Sequence, residues 1–381
     1  MQIEICKWKN NKNIPLIFMI DDLANIYFHR NHGDWGGLLD REGSMYRYLK
    51  KNILSNYPEL KFTFFTVAGV RSNQVYGSYD HVADCSESAF SEFLKLLSND
   101  GHEVCYHGLT HGAVEKRRFI QEWDTFKSAD EAAAIVNKGL MLLSGAVEKA
   151  IYGGKYCGYR PGKYGHESIK RNRVKWWFDS WDSDHLRRPL GEFKDGILYL
   201  PSNIDCSDYT FGMFAKVPFL KYLKSVSKRA CSKSLNRKIL ELVASNGIIS
   251  LQEHSSPIRT DGKTQFPNIV HDLPQILSVL EIVSQHSPWY ATASDVYNYT
   301  LFREKVCLIK ERNEYSLVFT GSPTEAQHLL EEDAVLSLKL SRDTKASIFK
   351  EVGGEGASFQ IINVGIEDVL TGKLTFKRRK Q

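Results

Sequence analysis

Short apolar runs alternate with amphipathic stretches over the first three hundred residues of the chain. The apolar runs are rich in aromatic and β-branched residues and predict buried strands near 14–20, 61–68, 102–107, 155–160, 174–180, 196–201 and 247–254. Residues at helical spacing predict helices near 44–54, 88–100, 128–151, 216–245 and 272–286. Such alternation is typical of parallel strands joined by crossovers. It predicts an α/β barrel or a doubly wound sheet, with any chemistry at the carboxyl ends of the strands.

The pattern changes near residue 300. Beyond it, short segments that alternate apolar with polar residues recur about every ten residues, which is typical of antiparallel sheet. We therefore predict two domains, a large α/β domain over 1–300 and a small all-β module over 301–381.

Composition and charge narrow the class of protein. The 381 residues are 42% hydrophobic and 25% charged, which fits a folded domain with a sizeable core. A net charge of +5 is small for this length and gives no reason to expect nucleic acid. The seven cysteines are scattered without a C-x-x-C pair, which favours a reducing compartment. The apolar run 14–20 is too short for a signal peptide or membrane span, so we expect a cytoplasmic protein without membrane-spanning segments. The oligomeric state is not predicted.

Ionisable residues follow several of the predicted strands. His107 and His111 are four residues apart, so on one helical turn both imidazoles could face a divalent ion, but a third ligand must come from elsewhere. Each feature alone has an ordinary explanation, such as a helix cap, a turn or a structural histidine. Their joint placement at strand ends is harder to explain in that way. The residues are Asp21, Asp22, His107, His111, Arg160, the acids within 179–184 and His254.

Five segments resemble, in order, the motifs of the polysaccharide deacetylase family, also called carbohydrate esterase family 4 or the NodB-homology domain. They are FMIDD, GHEVCYHGLTH, GYRPGKYG, FDSWDSD and ISLQEH. The resemblance covers residues 14–300. It implies an irregular (β/α)7-type TIM-like barrel and a hydrolase that removes an N-acetyl group from an amino sugar.

The resemblance also implies a metal centre. The divalent ion, commonly zinc, would be held by Asp22, His107 and His111. Two imidazoles and one carboxylate leave coordination positions open for water and substrate. An ion in such a site polarises a carbonyl and lowers the pKa of water, which would then be the nucleophile.

By the same resemblance, Asp21 is the general base and His254 is the general acid. An ordinary histidine suits the second role because imidazole titrates close to neutral pH. Arg160 corresponds to the residue that orients the base, and the backbone N–H of Tyr164 could bind the developing oxyanion.

The third and fourth motifs depart from the family pattern. Arg160 is followed directly by proline, where relatives usually have one residue between. In the fourth motif, we expect Asp182 to orient His254, with Asp179 and Asp184 as open alternatives.

Aromatic residues and a polar loop add further candidates for the site. Trp181 could stack on a sugar ring, whereas core packing is the expectation for Trp176 and Trp177. The loop containing His29, His32, Asp34 and Trp35 could add a second metal or a stacking ring, although an ordinary polar loop is the simpler interpretation.

The expected substrate is an acetylated amino sugar of a polysaccharide or its precursor. Without an export signal, a cytoplasmic unit of an O-antigen or capsule fits best. One alternative is an amidohydrolase acting on a small non-sugar amide. Another is a catalytically silent glycan-binding barrel, against which the presence of Asp21 argues, since a silent site needs no base.

Overall fold

The computed structural model describes residues 2–24, 26–28, 43–69, 82–84, 87–115, 118–206, 224–255, 265–311, 314–341, 344–346, 359–372 and 374–378. The loop predicted around His29, His32, Asp34 and Trp35 lies outside these ranges. None of the described helices combines the length and the apolar content needed to cross a bilayer.

The described residues form the following strands and helices. The strands are β1 (Ile3–Ile5), β2 (Ile14–Leu23), β3 (Ile26–Phe28), β4 (Phe62–Thr66), β5 (Val82–Asp84), β6 (Glu103–Tyr106), β7 (Gly112–Glu115), β8 (Arg118–Gln121), β9 (Gly153–Lys155), β10 (Trp176–Phe178), β11 (Glu192–Lys194), β12 (Ile197–Tyr199), β13 (Ile204–Asp205), β14 (Ile249–His254), β15 (Pro288–Tyr290), β16 (Val306–Glu311), β17 (Glu314–Phe319), β18 (Val335–Ser341), β19 (Thr344–Ala346), β20 (Phe359–Gly365) and β21 (Thr375–Arg378). The helices are α1 (Met45–Leu49), α2 (Glu87–Asn99), α3 (Glu122–Thr125), α4 (Ala129–Val147), α5 (Gly165–Arg171), α6 (Lys224–Ala244), α7 (Leu273–Ser284), α8 (Ala293–Glu304), α9 (Pro323–Glu331) and α10 (Ile366–Leu370). A π-helical turn, Lys50–Leu54, follows α1, and 3-10 turns occupy Lys9–Asn11 and Cys157–Tyr159.

The larger of two compact units, residues 16–286 with 290–294, is built on a curled sheet. Its strands run in the order β11-β12-β10-β9-β6-β4-β2-β14-β13, and neighbours from β12 to β13 are parallel. Only β11 pairs antiparallel along this path. The predicted α/β class is therefore confirmed, whereas a strict sevenfold barrel is not, because this path has nine strands.

Buried strands and a capped helix account for the core of this unit. Every residue of β4 is buried, as expected for a strand covered on both faces. Helix α4 begins where the sequence predicted, with the Ser128 side chain accepting a hydrogen bond from the Glu131 N–H. Trp176 and Trp177 are fully buried, as expected. A Cβ on Gly153 would lie 2.1 Å from the Trp176 ring, so glycine is needed where β9 passes beneath it.

The smaller unit comprises residues 1–15, 287–289 and 295–381. It contains the antiparallel sheets β1-β18-β20 and β16-β17-β21-β19. It also contains α9, which Ser322 and Glu325 cap reciprocally, and α10. The expected all-β module is thus mixed. Strand β1 also lies in this unit.

Candidate metal centre and active site

Five neighbouring parallel strands, β9-β6-β4-β2-β14, bring the candidate residues to one edge of the sheet. The carboxyl ends of parallel strands meet at the same edge, which is where α/β folds place their chemistry. Residues from four of these strand ends are described below. They are Lys155 at the end of β9, His107 after β6, Asp21 and Asp22 on β2, and His254 on β14.

A β-bulge in β2 includes both of its aspartates, Asp21 and Asp22. Ile20 pairs with Phe64 and Leu23 pairs with Thr66, so three steps on β2 oppose two on β4. Asp22 has a left-handed backbone, with φ of 62°. Because successive strand residues normally face opposite sides, such a bulge is a means of re-aiming a side chain. Here it allows neighbouring carboxylates to serve the same edge.

Asp22 meets both histidines of the second motif. Its Oδ1 lies 3.0 Å from His111 Nε2 and 3.4 Å from His107 Nε2. Burial alone would raise the pKa of Asp22, but the neighbouring imidazoles of His111 and His107 hold that pKa well below its ordinary value. The carboxylate expected to be the third ligand therefore lies beside the other two.

The bonding of His107 fits a metal ligand. Its Nδ1 lies 3.1 Å from the carbonyl oxygen of Lys155, which can only accept, so Nδ1 carries the proton. In the neutral ring, Nε2 then carries no proton, and its lone pair faces the Asp22 carboxylate. Two such acceptor groups repel each other unless a cation lies between them. This backbone carbonyl is the type of partner that fixes the tautomer of a metal-binding histidine.

The ligand spacing also fits a divalent ion. With bonds of about 2.0–2.2 Å, donor atoms in a tetrahedral site lie about 3.3 Å apart, close to the two distances from Asp22. Cys157, His107 and His111 offer another set of donor atoms, all within 4.8 Å of one another. The Cys157 thiol, however, donates a hydrogen bond to the His107 carbonyl at 3.0 Å. We therefore favour Asp22 as the third ligand.

The two histidines do not share a helical turn, contrary to one possibility raised by their spacing. Strand β6 ends at Tyr106, and an irregular turn leads to β7 at Gly112. Gly108 and His111 in this turn have positive φ values of 90° and 67°. The imidazoles thus approach each other, with ring centroids 5.1 Å apart, through a folded-back loop.

Lys155, and not Arg160, binds the expected base. Lys155 Nζ donates to Asp21 Oδ2 at 2.5 Å, and both side chains are almost fully buried. The Arg160 guanidinium instead donates to Asp124 Oδ2, from Nε at 3.0 Å and from Nη2 at 2.9 Å. In this structure, Arg160 therefore contacts Asp124, and Lys155 takes the place beside Asp21 that was expected for Arg160.

Polar and aromatic groups surround the Lys155 ammonium. It donates to Gln252 Oε1 at 3.0 Å and lies 4.3 Å from the centroid of the Tyr159 ring. The Tyr159 hydroxyl also donates to Gln252 Oε1 and lies 2.5 Å from Ser202 Oγ. Burial alone would lower the pKa of Lys155, but Asp21 and Tyr159 raise it. Lys155 is therefore a cation under ordinary conditions.

His254 reaches the same centre, but without the acid expected to orient it. Its Nε2 lies 4.0 Å from Asp22 Oδ2, and its Nδ1 donates to the carbonyl oxygen of Pro267 at 2.7 Å. Asp182 accepts from Arg188 Nε at 2.7 Å and from the Ser202 N–H at 2.9 Å. The two carboxylate oxygens of Asp182 therefore bind Arg188 and Ser202 in this structure.

The alternative acids also have other partners. Asp179 accepts from Arg188 Nη2 at 2.6 Å, and Asp184 accepts from the Leu186 N–H at 3.1 Å. A backbone carbonyl therefore takes the place of the expected carboxylate beside His254.

The two predicted substrate-binding residues occupy different positions. Trp181 is half-buried and contacts Tyr159 edge to face, with ring centroids 6.2 Å apart. Tyr164 precedes α5, and the Lys163 ammonium lies 5.1 Å from its ring centroid. No contact found among the described residues joins Tyr164 to the three proposed ligands, so its oxyanion role stays a prediction.

Sequence reasoning missed Lys155, although one signal pointed to it. The predicted strand began at Lys155 and ended at Arg160, whereas the observed strand, Gly153–Lys155, ends at the lysine. Its paired glycines resemble a turn, so the strand was placed too late. An ionisable residue at the true strand end was the available signal.

No protein-family model matches the chain. No curated protein matches it either. Solved structures do match. PuuE allantoinase is 16% identical over 77% of this chain and 92% of its own, with a TM-score of 0.48. A probable polysaccharide deacetylase from Pseudomonas aeruginosa PAO1 is 14% identical over 77% and 93%, also at 0.48. The polysaccharide deacetylase Bc1974 from Bacillus cereus is 12% identical over 73% and 91%, at 0.38.

The polysaccharide deacetylases among these matches belong to the family that the five sequence motifs resemble. The identities and TM-scores are too low to transfer an activity to this chain, so the residues of the site itself must support any function.

Proposed function

We propose that this chain is a metal-dependent hydrolase that removes an acyl group, acetyl in the simplest case, from the nitrogen of an amino sugar. The observation that supports this most strongly is the meeting of Asp22, His107 and His111, with the Asp21 carboxylate on the adjacent residue. Those three residues would hold a divalent ion, commonly zinc. When bound, the ion would act as a Lewis acid that polarises the acyl carbonyl and lowers the pKa of water.

Asp21 is the general base in this proposal. Lys155 holds its Oδ2, while its buried Oδ1 accepts no hydrogen bond from a described residue. Oδ1 is therefore available to take a proton from the attacking water. Lys155 keeps the carboxylate in place with a buried ion pair, the role that the family resemblance gave to Arg160.

His254 is the general acid. Because Nδ1–H is directed at the Pro267 carbonyl, the second proton of the imidazolium lies on Nε2, the nitrogen nearest Asp22. That proton passes to the leaving nitrogen as the carbon–nitrogen bond breaks, which gives a free amine and a carboxylic acid.

The substrate class is inferred from the aromatic residues beside the site and from the motifs. Trp181 contacts Tyr159, which lies beside Lys155, and aromatic faces pack well against the apolar face of a sugar ring. We propose a polysaccharide unit or its precursor as the substrate, such as an O-antigen or capsule sugar in the cytoplasm.

Metal content tests the proposed ligand set. We expect the purified protein to bind one equivalent of zinc per chain, and the Asp22→Asn and His107→Ala variants to lose it. Cys157→Ser should keep its zinc, because Asp22 is the proposed third ligand. Retention by Asp22→Asn together with loss by Cys157→Ser would replace Asp22 with Cys157. Full metal content in Asp22→Asn and His107→Ala would rule out the proposed centre.

Acetate release tests the reaction. The zinc-loaded protein should release acetate from a panel of N-acetylated amino sugars, free and nucleotide-linked, and Asp21→Asn should abolish that release while keeping its zinc. Release only from small non-sugar amides would identify a different amidohydrolase. Metal and glycan binding without turnover of any amide would identify a silent binding protein.

A further inference from the structure

A carboxylate outside the catalytic set grips the loop that presents His111. Glu122, the first residue of α3, is 2% exposed. Its Oε1 accepts from the Leu109 N–H at 2.9 Å, and its Oε2 accepts from the N–H groups of Thr110 at 2.6 Å and His111 at 2.8 Å. The Thr110 hydroxyl donates to the same Oε2 at 3.1 Å. Three successive backbone donors thus converge on one side chain.

His111 is held at both of its backbone polar groups. Its N–H donates to the Glu122 carboxylate, and its carbonyl accepts from the Glu122 N–H at 3.3 Å. His111 has a φ of 67°, a conformation that a non-glycine residue keeps only when its surroundings hold it there. Both bonds come from one residue, so Glu122 determines where this part of the loop lies.

The loop and the carboxylate fit each other closely. A Cβ on Gly108 would lie 2.8 Å from Glu122 Oε2, and Gly108 also has a φ of 90°. Glycine is therefore required for the approach. Only a carboxylate offers acceptors alone to three converging N–H groups, since a glutamine would turn an NH₂ donor toward some of them.

We propose that Glu122 is a positioning residue for the metal centre, because it holds His111 where Nε2 faces Asp22. This inference rests on the metal site of the proposed function. Glu122 touches no reacting atom in that proposal and acts only through the loop. Partners of this kind that orient metal ligands typically change metal affinity about 10- to 100-fold when they are replaced.

Cobalt binding to the full-length protein tests the inference. We expect Glu122→Gln to bind Co²⁺ about tenfold or more weakly than the original protein in competition with a chelator. The visible spectrum of its cobalt form should also change, because His111 is displaced. Glu103→Gln is the matched control. Glu103 accepts from the N–H groups of Ala293 at 2.9 Å and Ser294 at 3.3 Å, away from the loop. The Glu103→Gln variant should be less stable than the original protein but should keep the original cobalt affinity and cobalt spectrum.

A second variant covers the case in which Glu122→Gln does not fold. Glu122→Asp keeps the charge, but its shorter side chain cannot reach all three donors, so we again expect weaker binding and an altered spectrum. Original affinity and spectrum in a folded Glu122 variant would overturn the inference. If the unaltered protein itself bound no cobalt, the metal site of the proposed function would fall, which is a distinguishable result.

Discussion

Lys155 and Arg160 lie five residues apart in the chain, and each binds a carboxylate. The two ion pairs differ strongly in their exposure to solvent. Lys155 and Asp21 have side chains 1% and 3% exposed, whereas Arg160 and Asp124 are 62% and 24% exposed. The buried pair includes the proposed base, Asp21. The exposed pair includes Arg160, which the family motif indicated as the partner of the base. The comparison teaches that burial and strand position, rather than a motif alone, decide which cation supports the base.

The largest expected difference between the pairs is in stability. Removing one partner of a buried pair leaves an uncompensated charge and costs about 3–5 kcal/mol, whereas an exposed pair contributes about 0–1 kcal/mol. We therefore expect Lys155→Met to lower the free energy of unfolding by about 3–5 kcal/mol, and Arg160→Met to lower it by less than about 1 kcal/mol. Urea unfolding at neutral pH measures both. Equal losses would contradict the assignment of Lys155 as the essential cation.

A double variant sharpens this result. Asp21→Asn combined with Lys155→Met removes both charges, so the penalty for an isolated buried charge disappears. We expect the double variant to be about 2–3 kcal/mol more stable than the sum of the two single changes predicts. The same cycle on Arg160 and Asp124 provides the control and should show almost no coupling. Additive losses at Asp21 and Lys155 would mean that the two groups do not interact in solution.

Part of the candidate site could be predicted, because the ends of β2, β6 and β14 lie close to the predicted strand ends. Apolar runs showed where Asp22, His107 and His254 would emerge, and parallel pairing requires those ends to share an edge. In the structure, a carboxylate oxygen of Asp22 lies 3.4 Å from His107 Nε2, and the other lies 4.0 Å from His254 Nε2.

The errors came from local backbone geometry, which hydrophobic periodicity does not encode. The bulge at Asp21 and Asp22 and the left-handed backbone of His111 depend on contacts with other segments, such as Glu122. The end of β9 was predicted five residues too late, at Arg160 instead of Lys155. The antiparallel pattern after residue 300 indicated strands there, but it did not predict α9.

A third carboxylate, Glu253, is buried like Asp21 but pairs with no described cation. Burial, followed by the charges of Asp272 and Asp205, raises the pKa of Glu253 well above its ordinary value. The native state therefore binds the proton more tightly than the unfolded chain, so stability falls as pH rises above the ordinary glutamate pKa toward the native one. We expect Glu253→Gln to be more stable than the unaltered protein at pH 8 by about 1–3 kcal/mol.

Unfolding measured between pH 5 and pH 8 checks this expectation. The unaltered protein should lose stability across that range with a slope of up to roughly 1.4 kcal/mol per pH unit, and Glu253→Gln should show a smaller slope. Glu131→Gln is a suitable control, because Glu131 is an exposed carboxylate at the start of α4. Parallel pH profiles for the protein and Glu253→Gln would mean that a cation or proton donor satisfies Glu253 in solution.

The smallest expected effect is the change in catalytic rate when Arg160 is replaced. Its guanidinium is exposed and bound to Asp124, and Lys155 already holds the base, so Arg160→Ala should change kcat/KM for acetate release by less than about threefold. Asp124→Asn, which breaks the same exposed pair from the other side, should behave alike. A loss of about a hundredfold or more, which corresponds to about 2.7 kcal/mol of transition-state stabilisation, would mean that Arg160 turns toward Asp21 or the substrate during the reaction. In that case, the family motif would be the better guide to the working enzyme, and the exposed pair would describe only its resting form.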